Sequence, residues 1–73
     1  MNEWERLRKR AKIIKAQFPV GTRIQLIRMD DMQAPPTGTL GTVLGVDDIG
    51  SIMVQWDTGS TLSVTEADEC RKI

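Results

Sequence analysis

Residues Pro36–Val64, PTGTLGTVLGVDDIGSIMVQWDTGSTLSV, decide how the chain folds. They divide into three short strands separated by two turns that each end in glycine. Leu40, Val43, Leu44 and Val46 form an apolar run interrupted by Gly41 and Gly45. Glycines inside a strand mark a bulge, a bend or a close backbone approach. Asp47-Asp48-Ile49-Gly50 closes a hairpin, because aspartate starts turns and glycine accepts the left-handed conformation that ends them. Ile52, Val54 and Trp56 alternate with Met53, Gln55 and Asp57, a period of two that buries one face. Asp57-Thr58-Gly59 repeats the turn chemistry before Thr61–Val64, where Leu62 and Val64 share a face. Strands this short, closely spaced and bent at glycines predict a small barrel rather than a flat sheet.

Working outward, 73 residues allow one domain with a thin core, since a chain of this size buries only about 60% of its unfolded surface. A single cysteine, Cys70, excludes an internal disulfide. With charges where a leader would need an apolar core, and no apolar run near the roughly 20 residues of a membrane span, this predicts a cytoplasmic setting. Net charge is zero, but the charges are segregated. Residues 1–18 hold six cations against two acids, and residues 19–73 hold four cations against eight acids. Such asymmetry points to an acidic or polyanionic partner for the basic part, or to a helix that complements its own acidic barrel.

The basic part reads as a helix from Glu3 to Gln17. Asn2 caps it, with Glu5 placed to reach back, and Pro19 forces the chain out after Phe18. Glu5 and Lys9 are spaced as an i,i+4 pair. Trp4, Leu7, Ala11, Ile14 and Phe18 fall on one apolar stripe, and the cations occupy the rest of the circumference. Ile13 breaks the pattern, lying on the basic side beside Lys9. The stripe is a packing face against the barrel, with a homodimer seam as its second use.

Between helix and barrel centre, Phe18–Gly21 is a turn and Arg23–Met29 a first strand, with Ile24 and Leu26 on one face. Asp30–Thr37 is a loop held extended by Pro35-Pro36. Thr65–Asp68 is a polar turn, and Glu69–Ile73 is expected to close the barrel beside the first strand.

The segments RMDD (Arg28–Asp31), GVDDIG (Gly45–Gly50) and WDTGS (Trp56–Ser60) resemble a family of domains of unknown function found in bacterial, phage and mobile-element proteins. The resemblance spans about residues 19–70 and leaves the N-terminal helix outside. It implies a mainly β fold, a five-stranded SH3-like barrel, here preceded by the amphipathic helix: residues 1–18 helix, 19–73 barrel, one compact domain. The family supplies no functional residues to transfer. Gly38, Gly41 and Val43 carry a looser similarity to KOW and Tudor-like barrels. With three aromatics and no tyrosine, however, the chain cannot build a methyl-lysine cage or a polyproline groove.

The chemistry is sparse. Without histidine the commonest general base is missing, so no catalytic residue and no enzymatic activity is expected. Arg71 and Lys72 beside Cys70 are of the sign that lowers a thiol pKa, but the thiol has no histidine to pair with. Asp30-Asp31, Asp47-Asp48 and Asp57 lack calcium-loop spacing and are explained as turn starters, so no metal, cofactor or small-molecule substrate is expected. The functional signal is the helix. Arg6, Arg8, Lys9, Arg10, Lys12 and Lys15, with Ile13 among them and Trp56 at the barrel mouth, are the expected partner-binding residues. The expected function is a binding module, accessory to a phage or mobile element, engaging nucleic acid or a nucleic-acid-handling protein. The alternative is an inhibitor filling a partner enzyme's groove, and a structural homodimer comes third. A membrane surface fits least, because the stripe is narrow and contains Ala11.

Overall fold

The computed structural model describes residues 1–73. It contains one helix, α1 (Glu3–Gln17), and four strands: β1 (Arg23–Arg28), β2 (Leu40–Val46), β3 (Ile52–Trp56) and β4 (Glu69–Lys72). The strands form one antiparallel sheet in the order β3-β2-β1-β4. The C-terminal strand therefore lies beside the first, as its apolar-polar pattern and position predict.

The helix has the bounds its signals specify. Asn2 Oδ1 accepts the Glu5 backbone N–H at 2.8 Å, satisfying one of the free donors of the first turn. At the other end the Phe18 N–H reaches the Ile14 carbonyl at 2.8 Å, and the backbone leaves helical geometry ahead of Pro19.

The sheet buries one face. Ile24 and Leu26 of β1, Val43 of β2, and Ile52, Val54 and Trp56 of β3 join Val64 in a single cluster. Gly41 lies inside it for a steric reason. A Cβ there would sit 2.7 Å from both the Trp56 ring and the Val54 side chain. The glycine is the hollow into which the indole packs. A register shift between Val43 and Gly45 bends β2 and turns Leu44 outward, the role expected of a strand glycine.

Two expectations are corrected. Thr61–Val64 is not a strand; it contributes one bridge, Ile52 to Val64, with reciprocal N–H···O bonds of 2.8 Å. The backbone before it is engaged by side chains instead. The Leu62 carbonyl accepts the Trp56 indole N–H at 2.8 Å, and the Leu62 N–H reaches Ser60 Oγ at 3.3 Å. The sheet thus has four strands where five are expected. Trp56 is also not a rim residue. It is 1% exposed and its only polar atom is satisfied internally, so it cannot touch a partner.

The helix docks on its own sheet. Ala11 is buried, and Ile14 and Phe18 pack against the core cluster. Lys72 of β4 stands over the Phe18 ring, its Nζ 5.4 Å from the centroid. The N-terminal turn lies beyond this contact, and Trp4, assigned to the packing stripe, is 55% exposed. At roughly 100° per residue, Trp4 lies about 80° around the axis from Ile14. It shares a side with Arg8 and Lys15 instead.

Candidate functional site

The six cations of α1 divide into two groups. Arg6 and Arg10 face the rest of the molecule. Arg6 forks onto two carboxylates, reaching Glu3 at 2.7 and 3.2 Å and Glu66, in the turn before β4, at 2.9 and 3.1 Å. These hydrogen bonds hold the Glu3 carboxyl below its ordinary range and the Arg6 guanidinium above its own. Arg10 donates to the Gly50 carbonyl at 3.0 Å and stands 3.7 Å from Glu66. Both residues latch the helix to the turns below it. Of the expected contact residues, these two are already engaged within the chain: one acid, Glu66, lies 60 and 56 residues further along and comes within reach of both.

Arg8, Lys9, Lys12 and Lys15 have no acid within ion-pair distance. The Glu5–Lys9 spacing does not produce a pair either. Arg8, Lys12 and Lys15 recur at intervals of four and three, so they form one ridge along the helix, with Trp4 at its N-terminal end. The ridge is one wall of a groove of about 360 Å³; Ala11 lies at its base and Asp48, from the β2–β3 turn, also lines it. Asp48 makes no ion pair and no side-chain hydrogen bond. Its neighbour Asp47 builds the turn, accepting the N–H groups of Ile49 and Ser51 at 3.1 and 2.9 Å.

Gly50 lies where the β2–β3 turn meets the helix. Its φ is +87°, and a Cβ there would meet the Arg10 guanidinium at 2.7 Å and the Ala11 backbone N at 3.4 Å. Helix and turn approach each other through this residue. Ile13 lies around the helix from the groove, 59% exposed. It shares a shallow depression of about 420 Å³ with Met1, Lys9, Arg6, Arg10 and Glu66.

The remaining chemical groups are inert or dispersed. Burial pushes the Cys70 thiol pKa up and Asp68 adds to this, so the cations beside it in sequence do not activate it. No three histidine, cysteine or acidic side chains converge as a metal site would require. No helix is long and apolar enough to cross a membrane. Of the expected contact residues, Arg8, Lys12 and Lys15 line the groove, Lys9 shares a second depression with Arg8 and Lys12, Ile13 lies further around the helix, and Trp56 is buried. The groove adds Trp4 and Asp48, which sequence spacing does not single out. Trp4 resembles the other stripe residues in spacing, and Asp48 resembles any turn aspartate.

Among known protein families, residues 7–73 match the model described as a domain of unknown function, DUF4314. The match takes in α1 from Leu7 onward, whereas the expected boundary left the helix outside. No curated protein and no solved structure matches the chain.

Proposed function

Since the chain belongs to the DUF4314 family of domains of unknown function, we propose its function from its own surface: a non-enzymatic module that binds nucleic acid through the outer side of α1. The observation that carries this reading is the ridge of Arg8, Lys12 and Lys15, three cations in line, none of them within ion-pair distance of an acid. Cations so placed neutralise phosphates and release counterions, which gives affinity without reading sequence. An accessory role in a phage or mobile element fits such a module. An SH3-like barrel fits the strand order together with the Ile52–Val64 bridge.

The test is fluorescence anisotropy with labelled single-stranded and duplex DNA at low and moderate salt. Parent protein binds with steep salt dependence. Replacing Arg8, Lys12 and Lys15 by Gln weakens binding and lowers the log–log salt slope by about one unit per contact removed. A parent protein that binds no nucleic acid at low salt overturns the reading.

A second reading, an inhibitor seated on an acidic protein groove, is favoured by Ile13. An apolar side chain 59% exposed beside Lys9 is suited to a protein contact. Under that reading Ile13→Asp abolishes binding to the partner more effectively than loss of any one lysine.

A further inference from the structure

We infer that the groove between α1 and the β2–β3 turn seats one unpaired base of a single-stranded nucleic acid, stacked on Trp4, with the adjoining phosphates on Arg8, Lys12 and Lys15. The inference rests on the nucleic-acid reading above and adds the class of strand and base.

Three observations carry it. The first is Trp4. The chain has three aromatic residues: Trp56 is in the core, Phe18 packs against it, and only Trp4 stands in solvent, at the end of the cationic ridge. A ring so placed offers a stacking face to any base, and such stacking tolerates sequence. In a duplex the base faces are already stacked on each other, so the ring is of use only to a single strand. The second is size and shape. At about 360 Å³ the groove falls within the range of small-ligand clefts, roughly 300–1,000 Å³.

The third is Asp48. A site built only for phosphate would exclude a carboxylate, yet Asp48 lines this groove with no cation or donor engaged. An unengaged acceptor among donors suits a base that presents an amine, such as cytosine with its N4 group. Thymine presents a carbonyl oxygen at the same place, which the carboxylate repels. The seat therefore takes a cytosine in preference to a thymine.

The experiment uses the full chain and four DNA probes of one length: oligo-dC, oligo-dT, an abasic strand and a duplex. Binding is followed by anisotropy and by quenching of tryptophan fluorescence. Trp56 is shielded, so quenching reports Trp4. Parent protein binds oligo-dC about tenfold more tightly than the abasic strand, with quenching. Trp4→Ala erases that gap and Trp4→Phe restores most of it. Asp48→Ala removes the preference for oligo-dC over oligo-dT. Both positions are exposed, and thermal melts of each variant confirm that the fold is kept. Equal affinity of the parent for oligo-dC, abasic strand and duplex, with steep salt dependence, overturns the base seat and leaves the nucleic-acid reading standing. Equal affinity for oligo-dC and oligo-dT overturns the role of Asp48. Absence of binding to all four probes overturns both readings together.

Discussion

At Gly50 two constraints meet in one residue. Its φ of +87° strains any side-chain-bearing residue, and its missing Cβ makes room for the Arg10 side chain. Gly59, which ends the second turn, carries only the first constraint: its φ is +97° and nothing lies within 4 Å of an added Cβ. Gly59→Ala should therefore lose about 1 kcal/mol from backbone strain alone. Gly50→Ala should lose measurably more, and urea melts of the two variants compare them. Equal losses would mean that the helix does not bear on the turn. Both glycines are legible in sequence, since each closes a turn that opens with aspartate. The collision with Arg10 is not, because 40 residues separate the two. Cys70 makes the same point in reverse. Its sequence neighbours are cations, but burial dominates and raises its pKa. Alkylation near neutral pH should be slow, and should become fast in denaturant.

At the scale of elements, the apolar packing of α1 comes from its C-terminal half. Ile14 is half-buried against the core, so Ile14→Ala should destabilise by about 1–2 kcal/mol, from three lost carbons partly removed from water. Trp4→Ala should leave the melting temperature unchanged. If the two variants melted alike, the helix would be a free arm. Strand pairing has its own electrostatic support. Arg23 of β1 donates twice to Asp57, at 2.9 and 2.7 Å, tying the strand to the turn after β3. These bonds hold the Asp57 pKa below its ordinary value. The folded pKa is thus lower than the unfolded one. The contribution is complete above the ordinary carboxylate range and is lost as pH falls through the folded pKa. Asp57→Asn should lower stability at neutral pH and leave it nearly unchanged in acid, so that the acid limb of stability against pH flattens; urea melts at several pH values check this.

For the whole molecule, the charge split resolves into paired and unpaired cations. Arg6 and Arg10 join the basic helix to the acidic remainder through Glu66 and the Gly50 carbonyl. Arg8, Lys12 and Lys15 face outward without acid partners. The two groups should separate by experiment. Arg10→Met keeps the aliphatic stem but removes the donor to Gly50, and should destabilise by about 1–3 kcal/mol. Neutralising Arg8, Lys12 and Lys15 should leave stability within about 0.5 kcal/mol, because exposed unpaired cations contribute little to folding. Thermal melts alongside DNA titrations check both. A ridge variant that unfolds, or an Arg10→Met protein as stable as its parent, would break this division.

By itself the sequence determined what local chemistry can specify. Asn2 and Pro19 bound the helix, the Asp-to-Gly turns bound the strands, and period-two alternation selects Ile24, Leu26, Val54 and Trp56 for burial. Four strands were legible because each carries its own pattern between its own turns. Thr61–Val64 carries a pattern too, but side chains two and six residues away override it. Trp56 and Ser60 take the backbone groups of Leu62 that a ladder would need. Tertiary structure decided which cations are free. All six look alike on a helical wheel, and only the folded position of Glu66 and Gly50 separates Arg6 and Arg10 from the rest. It placed Trp4 in water and Asp48 across from it for the same reason: where a side chain ends depends on contacts with residues 40 or more positions away, and those have no signature in local spacing.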